Sequence, residues 1–259
     1  MSVMSIESSS VDRRYSKPGM LVVIPGGTSG IGLATARILV AWGHQVVVGG
    51  RRKVLSGDLA HWESTSLLRI RRLDVCDQDS VDRFFHAIES EEGIPQVLIN
   101  CSGIMKLSPL KDLKSGEWGE MVNTNVLGLL RCTARILPLF QKRGGEKIIN
   151  IGSVAGHKVA TPDGTVYSAT KFAVAALSEG MRQELAELNV SVTLVSPGAT
   201  KTPLGQDSSN RESKDRISDY YAKYGMEVED VARQIAEIAV SESTANVSEI
   251  VLRSLHHRF

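Results

Sequence analysis

Short apolar runs recur along the chain, and most are followed by a longer segment in which apolar residues repeat every three or four positions. Apolar runs are typical of parallel strands that helices cover on both sides, whereas the longer period indicates amphipathic helices. The sequence predicts strands over residues 20–24, 45–48, 68–73, 96–99, 147–151, 191–195 and 249–253, and helices over 31–42, 81–88, 118–140, 166–188 and 228–241.

This alternation of strand and helix predicts the class of fold. Repeated units of this kind imply a parallel sheet covered on both faces, with the binding site at the carboxyl ends of the strands. We predict an α/β protein with a single-domain Rossmann-like, doubly wound parallel sheet of about seven strands and helices on both faces. That domain is expected to span residues 18–259.

Two segments lack the pattern. Residues 1–17 are Ser-rich and charged, so we predict a disordered N-terminal tail, which has no apolar core of the signal-peptide kind. Residues 203–224 are polar and aperiodic, and a loop of this length is usually a lid or a disordered segment. We expect a substrate lid at about 203–224, with Tyr220, Tyr221 and Tyr224 near the substrate.

Composition excludes several classes of partner. Thirty Lys and Arg residues balance 29 Asp and Glu residues, and this net charge of +1 does not indicate a nucleic-acid or membrane-surface partner. No apolar run approaches the ~20 residues of a membrane helix. Cys76, Cys101 and Cys132 have no paired spacing, which favours a reducing cytoplasm and no metal site. His256 and His257 also lack further ligands in sequence.

A Gly-rich turn follows the first predicted strand and opens the first predicted helix. Gly26, Gly30 and Gly32 have the spacing G-x-x-x-G-x-G, which lets backbone amides approach a pyrophosphate where the helix dipole favours an anion. Such a turn can also be a tight connection only, but its position between strand and helix favours a dinucleotide site. The predicted cofactor-binding residues of this turn are Gly26, Thr28, Ser29, Gly30, Ile31 and Gly32.

The ends of the second and third strands predict where an adenosine would lie. No acid that could bind a ribose 2′-hydroxyl follows the second strand, whereas Arg51 and Arg52 offer cations to a 2′-phosphate. The sequence therefore favours NADP over NAD, unless these arginines are solvated loop charges. Asp74, beside Val75, is predicted to accept from the adenine amino group or, alternatively, to cap the helix that begins near residue 79.

Two further strand ends complete the predicted cofactor site. Small side chains after the fourth strand let a cofactor pass close to the backbone, and the thiol of Cys101 there is expected to be packed and unreactive. Thr202 is either a hydrogen-bond partner of a carboxamide or a turn residue. The cofactor-binding residues predicted at these two ends are Asn100, Ser102, Gly103, Pro197, Gly198, Thr200 and Thr202.

Tyr167 and Lys171 lie four positions apart in a predicted helix and therefore share one face. A cation beside a phenol favours the phenolate, so we expect the pKa of Tyr167 to lie well below its free value of about 10. Such a group can act as a general acid or base, and the Ser153 hydroxyl after the fifth strand is expected to hold a substrate oxygen nearby. The alternative is an ordinary pair on a helix surface.

Asn125 stands inside an otherwise apolar predicted helix. Because a buried amide must find partners, it either satisfies neighbouring backbone groups or holds a water that connects Lys171 to solvent.

Taken in order, these landmarks resemble the short-chain dehydrogenase/reductase family from about Leu21 to Thr202, and again in the last helix and strand. The resemblance implies that Tyr167 donates or accepts the proton and also contacts the cofactor. It further implies that Lys171 lowers the pKa of Tyr167 and binds the nicotinamide ribose, that Ser153 positions the carbonyl, and that Asn125 maintains a proton-relay water. It also implies a homotetramer or homodimer, with the helices that carry the Asn and the Tyr packed between subunits.

Three departures from the family pattern fall in the predicted cofactor site, and none falls in the predicted catalytic centre. Pro25 stands where Thr is usual, Cys101 and Ser102 replace Asn and Ala, and Gly50 leaves the second strand end bare.

The leading hypothesis is an NADP(H)-dependent oxidoreductase that transfers hydride between nicotinamide and a ketone or secondary alcohol, with Tyr167 as general acid or base. A second hypothesis keeps NADP but makes the net reaction an epimerisation or dehydration. A third is a non-catalytic protein that senses a dinucleotide or binds a partner.

Overall fold

The computed structural model describes residues 19–51, 66–144, 146–242 and 245–255. The predicted N-terminal tail, Arg52 and the pair His256 and His257 lie outside the described residues.

The strands of the described residues form one parallel sheet, as the sequence predicts. In chain order they are β1 (Leu21–Pro25), β2 (Gln45–Gly50), β3 (Leu68–Arg72), β4 (Val97–Asn100), β5 (Lys147–Ile151), β6 (Ser191–Pro197) and β7 (Glu249–Leu252). Their spatial order is β3-β2-β1-β4-β5-β6-β7. In this order β1 lies between β2 and β4, so the chain reverses its direction of winding beside β1 and leaves a crevice at the strand ends there.

Helices connect the strands and cover both faces of the sheet. The α-helices of the described residues are α1 (Gly30–Ala41), α2 (Gln78–Glu91), α3 (Ser115–Val122), α4 (Gly128–Arg143), α5 (Thr165–Glu184), α6 (Arg211–Tyr224) and α7 (Val228–Val240). On one face α2, α4 and α5 bury Phe85, Phe140 and Val174, and on the other α1 and α7 bury Leu39 and Ile235. The central strands β1 and β4 face both layers, which explains why their sequences are continuously apolar.

Two predicted elements differ from those observed. The helix predicted over residues 118–140 is interrupted by a π-helical turn, Asn123–Leu127, between α3 and α4. The segment 203–224 is not one long loop, because its second part forms α6. Asn210 caps this helix, and its side chain accepts a hydrogen bond from the Ser213 nitrogen at 3.0 Å. Of the residues of α6 only Ser213 is fully buried, so no apolar period marked the helix.

None of the helices in the described residues has the length and apolar character needed to cross a bilayer.

Candidate active site

One cavity opens at the carboxyl ends of the central strands, at the point where the order of the sheet reverses. It extends from the loop after β1 to Tyr167 on α5, and Tyr221 on α6 also lines it. The predicted site residues that line it are Gly26, Thr28, Ser29, Gly30, Ile31, Arg51, Asp74, Val75, Ser102, Gly103, Ser153, Tyr167, Lys171, Pro197, Gly198, Thr200 and Thr202.

The loop between β1 and α1 packs tightly against the neighbouring strand end. Gly26 has φ +83°, and a Cβ there would lie 2.4 Å from the backbone nitrogen of Ser102. A Cβ on Gly32 would lie 2.5 Å from the carbonyl oxygen of Gly26, so Gly32 allows α1 to approach the loop without lining the cavity itself. The first turn of α1 carries no acidic residue, and the Ser29 side chain makes no capping hydrogen bond. This helix end therefore favours an anion such as a diphosphate.

At the far end of the cavity, the glycine that ends β2 faces the Gly-rich loop. A Cβ on Gly50 would lie only 2.2 Å from Thr28 Oγ1, so any side chain there requires the Thr28 side chain to move. Arg51 follows and is exposed along the cavity wall. The alternative role of Asp74 as a helix cap is wrong, because Asp77 caps α2 by accepting from the Asp79 nitrogen at 3.1 Å.

Three polar side chains from two elements meet at the inner end of the cavity. Ser153 caps a short 3₁₀ turn after β5, where its Oγ accepts from the Ala155 nitrogen at 3.1 Å. Tyr167 and Lys171 project from α5, both are buried, and the phenol of Tyr167 is hydrogen-bonded to Ser153. The Lys171 Nζ donates to the Ile151 carbonyl oxygen at 2.8 Å and lies 5.9 Å from the centroid of the Tyr167 ring.

Burial controls the protonation of this cluster. It raises the pKa of Tyr167 to about 12, although the hydrogen bond with Ser153 works in the opposite direction. Burial also lowers the pKa of Lys171 to about 8. The expectation of a lowered pKa for Tyr167 is therefore wrong for the protein without its cofactor. The loss of solvation outweighs any effect of Lys171, because the ammonium group of Lys171 is hydrogen-bonded to the Ile151 carbonyl.

The Asn125 side chain satisfies its neighbours. Its Nδ2 donates to the Ile104 carbonyl oxygen at 2.9 Å and to Thr170 Oγ1 at 3.0 Å, and its Oδ1 accepts from the Ile104 nitrogen at 2.8 Å. Asn125 does not line the cavity, but Ile104 does. The amide thus fixes the loop after β4 against α5, close to Gly103, where a Cβ would lie 3.7 Å from Lys171 Nζ.

The side chain of Asn100 points away from the cavity, to the opposite face of the sheet. It therefore does not make the predicted contact with a cofactor. Its Nδ2 donates to Thr133 Oγ1 at 3.1 Å and to Asn150 Oδ1 at 2.9 Å, within the layer that α4 and α5 cover. Successive strand side chains point to opposite faces, and the next residue, Cys101, lines the cavity. Burial raises the pKa of the Cys101 thiol to about 11, against the opposing charge of Lys171.

Sequence reasoning missed most of the apolar wall of the cavity. Ile104 and Met105, after β4, and Leu204, before α6, belong to no motif, and their distance apart in sequence hides their proximity. The predicted lid at 203–224 was the only sequence feature that pointed to this wall, because Leu204, Asp207 and Tyr221 all line the cavity.

A doubly wound sheet with a Gly-rich anion site and a Ser, Tyr and Lys cluster in one cavity defines a dinucleotide-binding protein of the dehydrogenase class. Residues 20–213 match the family model described as short chain dehydrogenase. The chain belongs to the short-chain dehydrogenase family, which confirms the resemblance seen in the sequence. An uncharacterised oxidoreductase of Staphylococcus saprophyticus is 34% identical over 235 residues, covering 90% of this chain and 95% of the relative.

Solved structures of similar fold include two nicotinamide dinucleotide complexes. The closed form of serine dehydrogenase complexed with NADP+ has a TM-score of 0.83 and 26% identity, covering 93% of this chain and 97% of that chain. An alcohol dehydrogenase from the archaeon Thermococcus sibiricus complexed with 5-hydroxy-NADP has a TM-score of 0.80 and 25% identity, covering 93% and 98%. The protein is thus an oxidoreductase of a family that binds a nicotinamide cofactor and acts on small molecules, and the tight Gly26 loop fits that cofactor's diphosphate.

Proposed function

We propose that this protein is an NADP(H)-dependent oxidoreductase that interconverts a ketone and a secondary alcohol, with Tyr167 as the general acid or base. The observation that carries the proposal is the meeting of Tyr167, Ser153 and Lys171 in the cavity that the Gly-rich loop also lines. A phenol and a hydroxyl that share a hydrogen bond can both bind one carbonyl oxygen.

In this proposal each residue has a separate task. The Ser153 hydroxyl holds the carbonyl oxygen, and Tyr167, whose raised pKa keeps it protonated at neutral pH, donates its proton to that oxygen. Lys171 offsets the charge left on the phenolate and contacts the nicotinamide ribose. A bound nicotinamide dinucleotide supplies or accepts the hydride. Asn125 acts at a distance by holding the backbone of Ile104 at the cavity wall.

The cofactor would be held by residues along the length of the cavity. The turn of Gly26, Gly30 and the first amides of α1 would bind the diphosphate, and Asp74 with Val75 would bind the adenine. Ser102 and Gly103 would lie against its middle portion. Residues at the end of β6 would bind the nicotinamide, namely Pro197, Gly198, Thr200 and Thr202.

The preference for NADP is supported by two features at the end of β2. Gly50 places no carboxylate beside the ribose, and Arg51 offers a guanidinium to a 2′-phosphate. The neighbours solved with NADP+ and 5-hydroxy-NADP support the same choice.

Removing the phenol hydroxyl tests the chemistry. We expect Tyr167→Phe to lower kcat by roughly 10²–10⁴-fold on any ketone that the native protein reduces, because the proton donor is lost. The measurement is the absorbance of NADPH over a broad panel of ketones and alcohols, with NADPH affinity followed by fluorescence. Tyr224→Phe, on a residue outside the cavity lining, is the control. Full turnover by Tyr167→Phe would contradict the proposal.

Cofactor choice is tested separately at the adenosine end. We expect Arg51→Ala to raise KM for NADPH by roughly tenfold or more, because a charge-assisted hydrogen bond contributes about 1.5–3 kcal/mol. KM for NADH should remain unchanged, since NADH lacks the 2′-phosphate. An equal rise in KM for NADPH and for NADH would show that Arg51 does not bind the 2′-phosphate.

The same panel distinguishes the other two hypotheses. Product formed without net consumption of NADPH would indicate an epimerase or dehydratase. NADPH binding without turnover of any compound would indicate a dinucleotide sensor.

We also propose a homotetramer or homodimer in the reducing cytoplasm. Val122, Leu127 and Phe172 are exposed apolar residues on the helical segments that carry Asn125 and Tyr167, which suits an interface there. All three cysteines are free thiols, as expected in a reducing compartment.

A further inference from the structure

The substrate side of the cavity is built from α6 and the loop after β4. Tyr221, on α6, packs on a buried cluster that contains Met105 and Tyr167, and it lines the cavity together with Leu204. Gly205, with φ +90°, brings the start of this segment close to Met105, where a Cβ would lie 2.7 Å from Met105 Cε. Two phenols therefore face one small apolar compartment, one from α5 and one from α6.

The hydroxyl of Tyr221 is available to a bound molecule. Among the described parts of the chain it has no hydrogen-bond partner, whereas the phenol of Tyr167 is paired with Ser153. Burial raises the pKa of Tyr221, and the nearby Tyr167 adds to this, so the hydroxyl stays neutral and can both donate and accept. Because Tyr221 is only half-buried and lines the cavity, its hydroxyl can exchange a bound water for a hydrogen bond to a ligand.

The charges around the compartment exclude acidic ligands. Among the described residues that line the cavity the cationic side chains are Arg51, at the adenosine end, and Lys171, which is bound to the Ile151 carbonyl. Asp207 adds an exposed carboxylate on the substrate side. A substrate carboxylate placed between Met105 and Leu204 would lose its hydration without gaining a counter-charge.

We propose that Tyr221 determines substrate specificity by hydrogen-bonding a second, uncharged polar group of the ketone whose first carbonyl meets Tyr167 and Ser153. The substrate class is thus a neutral hydroxyketone or dicarbonyl compound with an apolar skeleton. This inference rests on the proposed function, because it assumes that Tyr167 and Ser153 bind the reacting carbonyl.

The test uses one ring in several substituted forms. Cyclohexanone, its 2-, 3- and 4-hydroxy derivatives and 4-oxocyclohexanecarboxylate are compared as substrates of the native protein, of Tyr221→Phe and of Tyr220→Phe. The last variant removes a hydroxyl from the same helix but outside the cavity lining, which makes it the matched control.

We expect at least one hydroxy derivative to have a KM roughly five- to tenfold below that of cyclohexanone in the native protein, as one additional hydrogen bond allows. Tyr221→Phe should abolish this difference in KM while kcat for the hydroxy derivative stays within about twofold, whereas Tyr220→Phe should retain the difference. The carboxylate should be turned over with at least roughly tenfold lower kcat/KM than cyclohexanone.

The two ways of failing are distinguishable. Turnover of the series with no KM change in Tyr221→Phe, or equal kcat/KM for the carboxylate, would overturn this inference and leave the proposed function standing. No turnover by the native protein of this series or of the broad ketone panel would overturn the proposed function and this inference with it.

Discussion

At the scale of single residues, Lys171 illustrates a conflict between stability and function. Its side chain is 6% exposed, and its ammonium binds the Ile151 carbonyl at 2.8 Å instead of a carboxylate. Burial lowers the pKa of Lys171 to about 8, below the 10.5 of a solvated lysine in the unfolded chain. The charged form therefore opposes folding below about pH 8, and this opposition fades as the pH rises from about 8 to 10.5.

Lys171→Met should separate these two effects. We expect activity to fall by at least roughly 10²-fold, because the phenolate of Tyr167 loses its cation. The free energy of unfolding at pH 7 should rise by on the order of 1 kcal/mol, and this gain should shrink between pH 8 and 10.5. Denaturant melts of both proteins across this pH range provide the measurement, and a variant less stable than the native protein at pH 7 would contradict the account.

Individual site residues were predictable from sequence where a motif fixed their position at a strand end. The chain spacing of Tyr167 and Lys171 predicted a shared face, but it contained no information about depth, so the direction of the Tyr167 pKa was wrong. The orientation of Asn100 could not be predicted from the sequence either, because the hydrogen-bond partners of its side chain lie on α4 and β5, far away in sequence.

At the scale of elements, α6 is held in place by polar contacts. Asp163, just before α5, accepts from Ser213 Oγ at 2.5 Å and pairs with Arg216, both on α6. Burial works to raise the pKa of Asp163, but the hydrogen bond from Ser213 and the pairing with Arg216 hold it below its usual value. The carboxylate stabilises the docked helix at neutral pH, and the contribution is lost as the pH falls through this lowered pKa.

Asp163→Asn is therefore expected to loosen the lid. We expect KM for the ketone to rise roughly three- to tenfold, as the loss of a hydrogen bond to a charged group allows, with a smaller change in kcat. Limited proteolysis within residues 203–224 should become faster. Asp219→Asn, an exposed change on the same helix, should have neither effect, and a native rate of cleavage in Asp163→Asn would show that this contact does not hold the lid.

The same element explains why the sequence predicted one long loop over residues 203–224. Helices are recognised in sequence by an apolar stripe. On α6 only Ser213 is completely buried, the apolar contacts come from the half-buried Ile217 and Tyr221, and polar contacts supply the rest. Its cap, an Asn three positions before a buried Ser, was the local signal that sequence reasoning overlooked.

At the scale of the whole molecule, the sheet was the most predictable feature, because its central strands are apolar on both faces and all its strands run parallel. Assembly is the feature that remains a prediction. Phe172→Glu should convert a native homotetramer or homodimer into a smaller species, since the side chain is 43% exposed on α5 beside the catalytic face.

Light scattering during size-exclusion chromatography measures this change. Val159→Glu, at an exposed apolar residue outside these helices, is the control and should leave the mass unchanged. A monomeric native protein would contradict the assembly that we propose.

The narrow space between Gly50 and the Thr28 side chain also has an evolutionary consequence. In dinucleotide-binding folds, a carboxylate at the end of β2 binds the 2′-hydroxyl of an unphosphorylated ribose. Here that position is Gly50, and a Cβ on it would lie 2.2 Å from Thr28 Oγ1. A lineage that shifts toward NAD through Gly50→Asp therefore has to move or replace the Thr28 side chain. A mutant library that varies residues 28 and 50 together is expected to yield more NAD-dependent variants than one that varies residue 50 alone.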